Sequence, residues 1–153
     1  MNITYKNTIT VDEVNAIRKS MDWRQLHPEQ QKANIDGNAL IISAYDDDKA
    51  IAVAGLDWNG GSFAYMSVLL NPAYHNKGIE EEFTAQIFDF LNSKLKPGFG
   101  IQVNITARSG YEELYENLGF VLATPENSGG VAMRICLTNQ IELTDRMFNQ
   151  MGF

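Results

Sequence analysis

SVLLNPAYHNKGIEEEF, Ser67 to Phe83, carries three signals in succession. An apolar strand end runs into a Pro-marked turn, and a Gly then opens a helix. Ile79, Phe83, Ile87, Phe90 and Leu91 recur at three- and four-residue spacing, which predicts an amphipathic helix ending before Pro97 and Gly98. A loop with Lys77 and Gly78 ahead of a helix N-terminus reads as a seat for an anion, because the first N–H groups of a helix are unsatisfied and its dipole is positive there. Glu80, Glu81 and Glu82 follow in the first turn. Acids at that place gain about 0.3–1 kcal/mol each from the dipole. They therefore also read as helix-start residues that partly fill the seat with their own charge.

Upstream, Ile3 to Lys6 is expected as a strand, and Thr10 with Glu13 forms a capping-box pattern ahead of Val11, Val14, Ile17 and Met21 at helical spacing. A second short helix is expected from Pro28 to the stop at Gly37. ALIISAY and AIAVAGLDW are strand-like runs joined by a polar hairpin. The carboxylates of Asp46, Asp47 and Asp48 read as that solvated turn, since no further acids follow at calcium-loop spacing. Asn59–Gly60 predicts a type I′ hairpin, making Gly61 to Leu70 the antiparallel partner of the strand before it.

Downstream, GIQVNITA is expected as a strand, and GYEELYENL as a helix stopped at Gly119. Phe120–Ala123 and Gly130–Leu137 are expected as two closing strands joined by the loop PENSGG. The order predicts an α/β (α+β three-layer) domain: a mixed, mostly antiparallel sheet with helices on its faces. The helix from Ile79 is a crossover, so the strands ending at Leu70 and Ala107 are expected to lie parallel. Ligands of such sheets collect at the carboxyl ends of strands, where the opening stretch leaves the sheet.

The 153 residues suit one domain with a real core, and the formal charge of −7 argues against a nucleic-acid partner and for a cationic or small neutral ligand. One cysteine, Cys136, excludes an intramolecular disulfide and reads as a buried small residue. His27 and His75 stand apart, so no metal site is expected. No signal peptide or membrane-length segment is read, and a soluble cytoplasmic protein is the expectation.

Element order and motifs resemble the GNAT superfamily of acyl-CoA-dependent N-acetyltransferases from Ile3 to Leu137. The resemblance rests on SVLLNPAYHNKGI, similar to the family's strand end, Pro and Gly-containing loop, and on ELYENLGF, with a Tyr three residues before Leu-Gly-Phe. DWRQ around Trp23 and the late GGVAM resemble small bacterial members that act on amines. The resemblance implies one GNAT-like domain, 1–137, with 138–153 as a C-terminal extension. It implies acetyl-CoA as co-substrate and a primary amine of a small molecule or peptide as acceptor, attacking directly. Val68, Leu69 and Leu70 would line a cleft opened by a splayed parallel strand pair. His75, Asn76, Lys77, Gly78, Ile79 and Glu80 would wrap the pyrophosphate, with Arg108 as countercharge. Tyr115 would protonate the leaving thiolate; a tyrosine of ordinary pKa near 10 suits that task. Trp23, Tyr65 and Ser67 would face the acceptor, and an aromatic wall with nearby acids would favour an ammonium.

Two family positions differ. His75 replaces a Gln or Arg, and Glu80 replaces a second small residue. Two unit charges about 5 Å apart interact by roughly 1 kcal/mol in a water-like dielectric and about 3 kcal/mol at an effective value of 20. Glu80 is thus expected to weaken cofactor binding about tenfold to a hundredfold unless its side chain swings to solvent. A rival reading is a protein of this fold that binds or regulates with impaired catalysis, marked by Glu80. Another keeps the enzyme with a different acyl-CoA or a peptide N-terminus. In the tail, Leu143, Met147 and Met151 share one helical face, which leaves three placements open: on the body, over the cleft, or against a second copy in a homodimer.

Overall fold

The computed structural model describes residues 1–137, so the expectation for the tail lies outside the described residues. The chain divides into two compact units, Met1–Ile105 and a second beginning at Thr106. In the first, the order is β1 (Ile3–Lys6), α1 (Val11–Ser20), α2 (Pro28–Gly37), β2 (Leu40–Asp46), β3 (Lys49–Trp58), β4 (Phe63–Leu70), a 3₁₀ turn (Pro72–Tyr74), α3 (Ile79–Lys94) and β5 (Gln102–Ile105). The second holds α4 (Glu112–Asn117) and α5 (Pro125–Ser128).

The strands form one sheet in the order β1-β2-β3-β4-β5, antiparallel except for the parallel pair β4–β5, which α3 connects. Strand periodicity assigns its two faces. Val53 and Leu69, paired across β3 and β4, pack with Val14, Ile17 and Met21 of α1. The opposite parity faces α3: Tyr5 meets Phe83 edge-on at 6.0 Å, and Trp58 meets Phe90 at 6.1 Å. Helices therefore cover both faces of a mixed sheet, the α/β architecture that the element order predicts. Thr10 and Glu13 form the expected reciprocal cap of α1.

Three sequence expectations are corrected. The turn at Asn59–Gly60 is not type I′, which needs positive φ at both central residues. Gly60 has φ 90°, whereas Asn59 is not among the positive-φ residues, and its Oδ1 accepts from Gly61 N at 3.0 Å. The loop is consequently longer, and Trp58 pairs with Ala64 rather than Gly61. PENS is a helical turn, capped reciprocally by Thr124 and Asn127, instead of open loop. Residues 120–123 and 130–137 form no strand. Their apolar alternation is strand-like, but a strand exists only through a ladder partner, and none pairs with them among the described residues. Val121, Val131, Met133 and Ile135 are exposed there.

The corner between α2 and β2 closes on β3 at Gly55. A Cβ there would stand 2.8 Å from Oδ1 of Asn38, whose Nδ2 donates to the Asn34 carbonyl. Gly55→Ala is expected to destabilise by about 1–3 kcal/mol, and adding Asn38→Ala should recover much of the loss. Urea unfolding of the double-mutant cycle checks this; strictly additive losses would contradict it.

Candidate active site

β4 has two different neighbours, and their ladders end at different places. With β3 it pairs as far as Ala52–Leu70; with β5 the pairing stops at Met66–Ile105. Hydrogen-bond direction follows from two bonds. Asn71 N donates to Ile51 O at 2.8 Å, so odd-numbered positions of β4 turn their backbone groups to β3. Gln102 N donates to Ser62 O at 2.7 Å, so even-numbered positions turn toward β5. Val68 and Leu70 therefore aim N–H and C=O into the side that β5 has left. Leu69 turns its backbone to Val53 and its side chain to the α1 face.

From that edge the chain passes into the 3₁₀ turn and the exposed loop His75–Gly78. Asn71 Oδ1 accepts from Ala73 N at 3.0 Å to start the turn. Tyr74 then ties it to the sheet, its Oη donating to Asp46 Oδ2 at 2.7 Å, while Asn2 N donates to Asp46 Oδ1 at 3.0 Å. The Tyr74 bond, and after it that from Asn2, hold the Asp46 carboxyl below its ordinary range; the same bond pushes the Tyr74 phenol up. Asn76 (φ 60°) and Gly78 (φ 78°) both take left-handed backbone. Gly78 is the N-cap of α3 and supplies no side-chain cap, so the helix enters with its first N–H groups directed at the loop.

Glu80 does not swing to solvent. It is 1% exposed, with Ile79, Phe83, Thr84 and Ile87 on the buried stripe of α3. Thr84 Oγ1 donates to its main-chain O at 2.8 Å. Helical spacing explains the direction: position 80 falls on the inward stripe, whereas Glu81 and Glu82 face out. Its side chain is thus turned away from the loop and into the interior. Tyr5 of β1 meets Phe83 of α3 edge-on at 6.0 Å, and burial, followed by Glu82, Glu80 and Glu81, raises the Tyr5 pKa.

On the α1 face the structure gathers Trp23, Leu69, Ser67 and Tyr65. Trp23 packs on the same cluster as Leu69, and alternation puts Ser67 and Tyr65 next along β4. The Trp23 loop is held by polar residues from the inward side of α1. Asn15 donates Nδ2 to Leu26 O and accepts from Leu26 N, both at 3.1 Å, and also accepts from Gln31 Nε2 at 3.3 Å. Arg18 Nε donates to Arg24 O at 2.7 Å, and its guanidinium lies 5.4 Å from the Trp23 ring centre. Burial, then Arg24, lowers the Arg18 pKa. A cation of the chain itself therefore already stacks on this aromatic wall.

Sequence reading missed Asn15, Arg18 and Asp57. The first two were signalled by polar residues at inward positions beside Val14 and Ile17. Asp57 is exposed and pairs directly with Tyr65 across β3 and β4, on the same face. The assumed two-residue turn would have set Asp57 opposite Ser62, which concealed this juxtaposition.

Tyr115 and Arg108 belong to the second unit. Tyr115 is buried on α4, with Phe120 edge-on at 5.9 Å and Phe120 N donating to Tyr115 O at 3.0 Å. The Arg108 guanidinium lies 4.5 Å from the Tyr111 ring centre. Gly119 (φ 101°) makes the left-handed stop after α4. Among the described residues, no three His, Cys, Asp or Glu side chains gather as a metal site would, and no helix is long and apolar enough to cross a membrane.

No protein-family model and no curated protein matches the sequence. Solved structures do match. A protein of unknown function from meticillin-resistant Staphylococcus aureus, described as a probable acetyltransferase, superposes with TM-score 0.75 at 16% identity, over 88% of this chain and 100% of that one. A GNAT-family acetyltransferase of Streptococcus pneumoniae gives 0.67 at 15% identity, over 91% and 98%. The ribosomal-protein-S18-alanine N-acetyltransferase of Escherichia coli gives 0.61 at 19%, over 80% of each chain. At these identities the likeness establishes the fold.

The Tyr74–Asp46 bond yields a prediction with a definite sign. A lowered folded-state pKa contributes stability above the ordinary carboxylate value of 3.8, lost as pH falls through the lowered value. Tyr74→Phe should therefore lower stability most at neutral pH, and its difference from wild type should shrink as pH falls through the lowered Asp46 value. Urea unfolding at neutral and at acid pH checks this; a loss that is equal at both, or larger in acid, would contradict it.

Proposed function

We infer that the chain, which has the fold of GNAT-family acetyltransferases, is a member of that superfamily moving an acetyl group from acetyl-CoA to a primary amine. The observation that carries this reading is the continuity of the open β4 edge, through the tethered turn, with a helix N-terminus lacking a side-chain cap. An extended amide-bearing arm is complementary to the first, and a pyrophosphate to the second. The loop His75–Gly78 with Ile79 and Glu80 would take the phosphates by main-chain N–H groups, with Lys77 and Arg108 as cationic support.

In the reaction, the amine lone pair attacks the thioester carbonyl carbon. The C–N bond forms, the resulting oxyanion is met by a main-chain N–H of the β4 edge, and its collapse breaks the C–S bond. Tyr115 gives its proton to the departing thiolate and regains one from solvent. The proton lost by the amine leaves to solvent past Tyr65 and Ser67, since β4 carries no carboxylate. Products are the acetamide and the CoA thiol.

The inward turn of Glu80 favours a working seat over the impaired-binding reading, because the side chain is buried and does not occupy the loop that would take the phosphate. Acetyl-CoA at about 100 times its dissociation constant should stabilise the fold by about 2.7 kcal/mol, seen as a raised thermal midpoint. No shift at millimolar acetyl-CoA would refute this function. Glu80→Gln keeps the size of the side chain and takes away its capacity for negative charge, and should tighten acetyl-CoA binding about tenfold, within the coulombic range for two charges about 5 Å apart; calorimetric titration reads it. Tyr115→Phe should lower kcat at least about 100-fold while leaving acetyl-CoA affinity unchanged, and full turnover would remove the acid assignment.

A further inference from the structure

We propose that Asp57 binds a second cationic centre of the acceptor, so that the enzyme acts on aliphatic diamines, acetylating one end while Asp57 holds the other. This rests on the acetyl-transfer reading above and names its substrate class.

Asp57 and Tyr65 are direct partners across β3 and β4, and directly opposed side chains on one face stand roughly 5 Å apart at Cβ. The flanking Leu56 is fully buried and Trp58 meets Phe90, which fixes the α3 side; Asp57 therefore shares the face of Val53, Leu69 and Trp23. That carboxylate is exposed, whereas Glu80 is buried on the inward stripe of α3 and Glu13 is engaged in the α1 cap. The Trp23 ring, the other group suited to an ammonium, already carries Arg18 at 5.4 Å. Asp57 is thus an exposed carboxylate in direct register with Tyr65 on this face, whereas the aromatic wall is already occupied.

Spacing sets the acceptor's length. The first backbone groups released by β5 are those of Val68, three positions beyond Tyr65, or roughly 10 Å along a strand. An amine attacking beside Val68 is too far from Asp57 to be its direct proton donor. The far end of a flexible diamine lies within reach, once the Asp57 side chain leans along the strand. Ser67 and Tyr65 line the interval with hydroxyls, and the formal charge of −7 draws dications to the protein.

The test compares 1,5-diaminopentane with pentylamine, which lacks the second charge, in steady-state assays of free CoA thiol. Wild type should favour the diamine at least tenfold in kcat/KM. Asp57→Asn should abolish that preference by raising the diamine KM, with kcat and the pentylamine parameters unchanged; Asp57→Glu should keep most of it. Acetyl-CoA-induced thermal shifts should be equal in all three proteins. Equal preference for both amines, or equal losses with both on Asp57→Asn, would overturn the proposal while leaving acetyl transfer standing. A wild-type protein that binds acetyl-CoA but turns over neither amine also overturns it. Absence of any acetyl-CoA shift in wild type would overturn the acetyl-transfer reading and this proposal together.

Discussion

β4 stays bonded to β3 through Leu70 but leaves β5 after Met66. Backbone groups in a sheet are normally satisfied by a neighbouring strand, so a strand released on one side while held on the other offers a fixed row of donors and acceptors. The ladder to β3 and the packing of Leu69 on α1 prevent β4 from following β5 or curling away. Turn, loop and helix then leave from its end, and the Tyr74–Asp46 bond ties that departure back to the sheet. The 3₁₀ turn, the loop His75–Gly78 and the α3 N-terminus inherit their positions from this one divergence.

Charge is the second constraint. Three glutamates at a helix start suit the dipole but oppose a phosphate, and the fold divides them by direction. Glu81 and Glu82 face solvent, where water screens them; Glu80 occupies the inward stripe beside Phe83 and Thr84. Turning Glu80 inward clears the space that a small residue would otherwise leave open, at the cost of burying a carboxyl group. Steric and electrostatic roles of one side chain are thereby separated.

Much of this was legible in the sequence because it depends on local chemistry. The Thr10–Glu13 cap, the α3 periodicity and the left-handed stop at Gly119 each follow from residues within one or two turns. What failed depends on partners distant in the chain. Asn59–Gly60 suggests a two-residue turn, but Asn59 instead bonds Gly61, and the longer loop changes the register enough to bring Asp57 beside Tyr65. Residues 120–123 and 130–137 have strand-like composition, yet composition supplies no ladder. In the candidate site, the loop His75–Gly78 could be read from its Gly and its helix, whereas Asn15 and Arg18 are polar side chains at inward helix positions, satisfied by Leu26 and Arg24 beyond the end of α1.

The central claim is that one continuous main-chain surface, the β4 edge and the α3 N-terminus, holds acetyl-CoA. Amide-resolved NMR titration with acetyl-CoA tests it most directly. The account predicts saturable shifts concentrated at the amides of Val68, Leu70, Gly78, Ile79, Glu80 and Glu81, with β1 and β2 unaffected apart from Tyr5 and Asp46. Binding that leaves Val68 and Leu70 unmoved, or shifts centred on the β1–β2 edge, would contradict it.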